Sequence, residues 1–167
     1  MKYCEPTTLA HPISIAYPST LKNINDIIVR EGYTGTLPAF PNNETVIDMD
    51  EAERIIALSA VRLVANSMDM AFGISNATKT IRKILLVEFK LRVGPSLSSV
   101  SYLECNEKIV GSRNNIGNNP EIYGNYIFVF QSSIKEYAKY IFFRWNPRLD
   151  GINKAMDMAE LRSTFFS

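Results

Sequence analysis

The chain has 167 residues, 46% of them hydrophobic and 21% charged, a balance ordinary for one folded domain and unlike a disordered segment. Lysine and arginine total 18 against 17 acidic residues, for a net charge of +1, which excludes a globally basic nucleic-acid-binding chain and leaves room only for a local basic patch. Two cysteines, Cys4 and Cys105, exclude a disulfide framework, and no apolar run reaches the roughly 18 residues of a membrane span, so the expectation is a reduced, cytoplasmic setting without a membrane partner.

Residues 1–45 read as an N-terminal arm. Met1 to Pro6 lacks the basic-then-apolar layout of a signal peptide. His11, the only histidine, sits beside Pro12 in what reads as an exposed loop, and one histidine with two distant cysteines does not make a structural zinc site. A short helix fits after Pro18, capped by Ser19 or Thr20, with Leu21, Ile24, Ile27 and Ile28 on one face. Gly32 to Pro41 reads as a loop with extended pieces lying over the core.

Residues 46–131 read as an α/β core. Asp48 or Asp50 caps a helix whose apolar face takes Ala52, Ile55, Ile56, Ser59, Ala60, Leu63 and Val64, ending near Ala65 and Asn66. Glu53 lies near the edge of that face, where it can reach a site beside a sheet or simply favour the helix N-terminus. Met68 to Ile74 reads as a strand carrying Asp69, Ser75 to Thr78 as a turn, and Ile81 to Val93 as a second strand, antiparallel to the first. Gly94-Pro95 stops it. Ser96 or Ser98 then caps a helix to about Val110, burying Val100, Leu103, Ile109 and Val110. The polar stretch Gly111 to Pro120 reads as a loop, and Tyr126 to Phe130 as a strand.

Residues 132–167 read as C-terminal helices. One is capped by Ser132 or Ser133 and contains Ile134, Tyr137, Ala138, Ile141 and Phe142. Another follows Pro147 and runs through Met156, Met158, Ala159 and Leu161. The whole predicts a single α/β domain with a central mixed sheet flanked by helices.

The segment Ile84-Leu85-Leu86-Val87-Glu88-Phe89-Lys90-Leu91 singles itself out. It is a core strand with a carboxylate and an ammonium in its interior, where charges persist only when paired or holding a metal. Alternation puts Glu88 and Lys90 on one face. An edge strand showing that face to water is the plain alternative.

The order of helix, strand with Asp69, strand with Glu88-x-Lys90, helix, strand and helix resembles the restriction-endonuclease-like PD-(D/E)xK nuclease superfamily. The likeness runs from Asp48 to about Phe130, and nineteen residues separate Asp69 from Glu88, which suits a hairpin. Met68 stands where the motif has its proline. The resemblance implies a restriction-endonuclease-like core and catalytic Asp69, Glu88 and Lys90, with Glu53 as the helical glutamate. It further implies Mg²⁺ or Mn²⁺ on Asp69, Glu88 and the Phe89 carbonyl, and hydrolysis of nucleic acid, DNA rather than RNA, by an endonuclease or exonuclease. Hard oxygen ligands suit such a cation, which acidifies a bound water and polarises a phosphoryl oxygen. Lys79, Arg82, Arg92 and Lys108 are then candidates for contacts to the nucleic-acid backbone, or else a solvated basic rim. Small members of the superfamily often act as dimers, which makes Tyr140 to Trp145 a candidate homodimer surface. The alternative is a non-catalytic interaction or immunity-type protein on an α/β scaffold.

Overall fold

The computed structural model describes residues 1–146 and 152–167. In chain order the elements are β1 (Lys2–Tyr3), α1 (Glu5–Leu9), α2 (Pro12–Ala16), a 3₁₀ turn (Pro18–Thr20), β2 (Leu21–Asn23), α3 (Ile24–Arg30), β3 (Thr45–Asp48) and α4 (Met49–Ser59). They continue with β4 (Met70–Ser75), β5 (Arg82–Lys90), α5 (Tyr102–Ile116), β6 (Asn125–Phe130), α6 (Lys135–Trp145), β7 (Ile152–Met156) and α7 (Met158–Phe165). The seven strands form one mixed sheet ordered β2-β3-β4-β5-β6-β7, with β1 also paired to β4. From β2 to β5 the pairing is antiparallel, and β5, β6 and β7 run parallel. Parallel neighbours need a long return connection, and α5 and α6 supply it.

Strand alternation divides the core into two layers. Ile84 and Leu86 of β5, with Phe128 and Phe130 of β6, face α4, α5 and α6 through Met49, Ala52, Cys105, Ile109, Ala138 and Phe142. Leu85, Val87 and Phe89, with Ile127 and Val129, face the other way onto Ile24, Ile27 and Ile28 of α3 and Leu161 and Phe165 of α7. Helices therefore cover both faces, and each fully buried aliphatic or aromatic contributes about 1.5–3 kcal/mol. This is the single α/β domain with a flanked mixed sheet that the sequence predicts. Among the described residues no helix is long and apolar enough to cross a membrane.

Several expectations are corrected. His11 is fully buried, because its ring caps α2 by accepting the Ile13 N–H at Nδ1. Leu21 belongs to a strand, and α3 starts after Asn23, whose side chain accepts the Asn25 N–H. Helix α4 stops at Ser59, since Val61 adopts a left-handed φ of 52°, and Leu63 and Val64 stand exposed. Helix α5 is capped by Ser101, not Ser96 or Ser98, and leaves Leu103 exposed. It continues to Ile116 through a stretch whose polar sequence predicts a loop, because Ser112 and Ile116 prolong the buried stripe of Cys105 and Ile109. Gly111 is there for contact rather than for a turn: a Cβ would lie 2.0 Å from the Asn66 carbonyl oxygen. Helix α6 has no side-chain cap from Ser132 or Ser133. Met156 ends a strand, and only Met158 onward is helical. The expected start of that last helix at Pro147 lies outside the described residues.

The N-terminal residues contribute to the sheet itself. β1 pairs with Ile74 and Ser75, while β3 pairs with Met70 and Ala71 on the same edge of β4. Between them the Gly73 N–H is taken by Thr8 Oγ1 at 2.8 Å. A Cβ at Gly73 would sit 2.5 Å from Thr7 Cβ, 2.7 Å from Thr8 N and 2.8 Å from Cys4 O. Backbone atoms of α1 cannot give way as a flexible side chain does. Gly73→Ala is expected to lower the unfolding free energy by about 1–3 kcal/mol in urea denaturation with the slope unchanged.

Candidate functional site

The pairing of β4 with β5 fixes the site. Met70 lies opposite Val87, so one step further the same register sets Asp69 against Glu88 on the α5 side of the sheet. Both are buried, at 4% and 1% exposure, and Lys90 on the same face of β5 is at 8%. Asp69 Oδ2 accepts the Phe89 N–H at 2.5 Å, and its own carbonyl accepts the Met49 N–H at 3.1 Å. The preceding residues are tied to α5, Met68 N–H donating to Ser112 Oγ at 2.8 Å.

Two ammonium groups answer these carboxylates. Lys90 Nζ lies 3.0 Å from Glu88 Oε1 and 2.6 Å from Glu104 Oε1. Lys108 Nζ, from α5, lies 2.7 Å from Glu88 Oε1 and 3.9 Å from Asp69 Oδ1. Burial raises Asp69 well above the ordinary carboxylate range, and the Glu88 charge adds to it. Burial also raises Glu88, with Lys90 and Lys108 opposing it. Burial by itself would lower both lysines, yet Glu88 and Glu104 hold Lys90, and Glu88 and Asp69 hold Lys108, above their ordinary values. Glu88 Oε2 is buried with no hydrogen-bond partner among the described residues.

A second pair of acids lies close to Asp69. Asp48 caps α4 by accepting the Glu51 N–H and also binds Arg30 at 2.5 Å. This clasp draws the C-terminus of α3 onto the N-terminus of α4. Glu31 and Asp50 thereby come together, and with Asp69 each offers a carboxylate oxygen within 4.8 Å of the others. Asp50 is oriented by Ser67 Oγ at 2.8 Å. Glu31, Asp69, Glu88, Phe89, Lys90, Arg92, Val93 and Lys108 line one open cavity of about 230 Å³.

The sequence candidates separate accordingly. Asp69, Glu88, Phe89, Lys90, Arg92 and Lys108 meet at the cavity. Glu53 is held elsewhere: Arg62 binds it at 2.6 Å, Asn115 at 2.7 Å, and the Ala65 N–H also donates to it. Arg62 pulls its carboxyl down to about 2 against the opposing effect of burial. Lys79 lies in the β4–β5 turn and Arg82 opposite Ser75, at the far end of the hairpin. Six residues of strand put Arg82 about 20 Å from Glu88. Glu31, Asp50 and Glu104 escaped the sequence reading. Ser101-x-x-Glu104 carries a helix-start pattern that could have flagged Glu104, and Asp50 was legible only as a cap. Nothing local marks Glu31.

Comparison with protein-family models, curated proteins and solved structures found no match to this chain.

Two measurements separate the structural acid from the site acid. Glu53→Gln weakens a buried ion pair and should cost about 1–3 kcal/mol at neutral pH in urea denaturation. Since the folded Glu53 value lies below the unfolded one, that loss should fade as pH drops from 4.5 towards 2. Asp69 has the opposite sign, its folded value lying above the unfolded one. Asp69→Asn should therefore raise the melting temperature at pH 7, and the gain should vanish as pH falls below the unfolded carboxyl value of about 3.9.

Proposed function

We propose that this chain is a metal-dependent nuclease, hydrolysing phosphodiester bonds of nucleic acid, DNA in preference to RNA. The observation carrying the reading is the meeting of Asp69, Glu88 and Lys90 on one face at the mouth of an open cavity. Acids buried at a cost to the fold are retained where they act, and both carboxyls here are displaced upward by burial. The likeness in element order to the restriction-endonuclease-like superfamily points to the same chemistry by analogy.

The residues present suit a hard divalent cation such as Mg²⁺ or Mn²⁺. Glu88 Oε2 is an unsatisfied buried acceptor, and Asp69 has acidic neighbours in Glu31 and Asp50 within ligand-sharing range. Asp69 and Glu88 would hold the ion, with the Phe89 carbonyl or the Glu31 and Asp50 carboxylates completing the oxygen set. When bound, such an ion supplies an acidified water and positive charge beside the phosphoryl oxygens. The chain supplies the rest. Glu88 and Glu104 keep Lys90 protonated, so its role is to stabilise charge developing on phosphate rather than to remove a proton. Arg92, whose guanidinium donates to the Arg30 carbonyl at 2.6 Å, stands on the cavity wall as an anion contact.

A non-catalytic interaction protein is the second reading. The aliphatics Leu58, Val61, Leu63 and Val64, all exposed in one short stretch, favour it.

Supercoiled plasmid, single-stranded DNA and RNA, incubated with Mg²⁺ or Mn²⁺, distinguish the two. The nuclease reading expects metal-dependent cleavage that falls by about 100-fold or more in Asp69→Ala, Glu88→Ala and Lys90→Ala, with Glu53→Gln retaining activity. Absence of cleavage on every polymer, together with no metal-induced rise in melting temperature, would favour the interaction protein.

A further inference from the structure

Lys90 and Lys108 both neutralise Glu88, but they are not equivalent. Lys90 has a second acid of its own, Glu104, at 2.6 Å, and its side chain is 9% exposed. Lys108 is 20% exposed, and among the described residues its ion pairs are to Glu88 at 2.7 Å and, more loosely, Asp69 at 3.9 Å, with the Asp50 charge further off. Its Nζ stands between the two carboxylates that a cation would bridge. The helix beneath it is anchored by the Ser101 cap and by Ser112, which accepts the Met68 N–H. The long, flexible lysine stem is therefore the part free to move.

Building on the metal-dependent reading above, we propose that Lys108 is a resident competitor for the divalent cation. Its ammonium holds the Asp69–Glu88 pair in the unloaded protein and must leave before metal can be held there. An ammonium on Oε1 and a divalent ion on Oε2 of the same Glu88 carboxylate repel strongly in a partly desolvated site. Lys90 can retreat onto Glu104, an acid outside the Asp69–Glu88 pair, whereas Lys108 leaves that pair by turning into the cavity it already lines. There it faces the space a phosphate would enter, beside Arg92. Release of Lys108 thus links metal loading to the capture of a polyanion. The site is weak for free metal and completes itself when both partners are present.

Calorimetric titration with Mg²⁺ or Mn²⁺ alone tests this without any cleavage readout. Lys108→Met keeps the apolar stem and removes the charge, so it should bind metal about tenfold more tightly than the unaltered protein. Lys108→Arg, which keeps the charge, should stay near the unaltered affinity. Removing the ammonium leaves Glu88 with one partner and can destabilise the fold, so the unaltered protein supplies a second measurement. In ¹⁵N-lysine spectra its Lys108 ammonium signal, assigned by its loss in Lys108→Arg, should shift on adding Mg²⁺ while that of Lys90 persists. Equal metal affinity in the Met variant, or metal binding that leaves the Lys108 signal in place, overturns the proposal and leaves the metal reading standing. No binding heat and no spectral change in any of the proteins overturns the metal reading itself.

Discussion

A charge set into the interior strand of a sheet has to be answered from outside that strand, and in this protein the answer to Glu88 organises everything around it. The neighbouring strand cannot help, because its register brings Asp69, a second acid. Counter-charge must come from the same strand two residues on, as Lys90, and from the helix above, as Lys108. That requirement dictates where α5 lies and how its first turns are oriented. Of the first turn of that helix, Tyr102 to Cys105, only Cys105 is fully buried. Cys105 is itself sealed so well that burial pushes its thiol up to about 12, which leaves it inert as a nucleophile.

The two faces of the domain are unequal in kind. On the α3 and α7 side, Leu85, Val87 and Phe89 pack into a hydrophobic layer with Ile24, Ile27, Ile28, Leu161 and Phe165. On the α5 side the hydrophobic layer gives way, at the C-terminal end of β5, to the ionic cluster. Ligand clefts in parallel and mixed sheets fall at strand C-termini for a similar reason: helices must part there to let the chain turn. The charged end of β5 thus coincides with the place where the architecture opens.

The legible parts of the fold were those with local signatures. The β4–β5 hairpin follows from two apolar runs around a turn-forming Ser-Asn-Ala-Thr, and β6 from the unbroken Tyr126 to Phe130 run. The strands β2, β3 and β7 were not legible, since three to five residues with mixed polarity carry no periodicity and gain their identity from neighbours. Within the site, Glu88 and Lys90 announced themselves by being charged inside an apolar run. Glu31 and Asp50 did not, because the Arg30–Asp48 clasp that unites them joins residues eighteen apart in sequence. Glu53 shows the converse: its place in α4 follows from the helical spacing, but the Arg62 side chain that binds it lies beyond the helix end, where the spacing of Leu63 and Val64 predicts more helix.

The edge of β4 is shared end to end by β1 and β3, with Thr8 bridging the junction at Gly73. The first strand of the chain thus finds its place only after residues far downstream have been made and paired. Such a closure has a large contact order and is entropically slow to reach. Until that pairing forms, the hydrogen-bonding edge of β4 beside Ile74 and Ser75 stays unsatisfied, so the two ends of this edge close in separate steps.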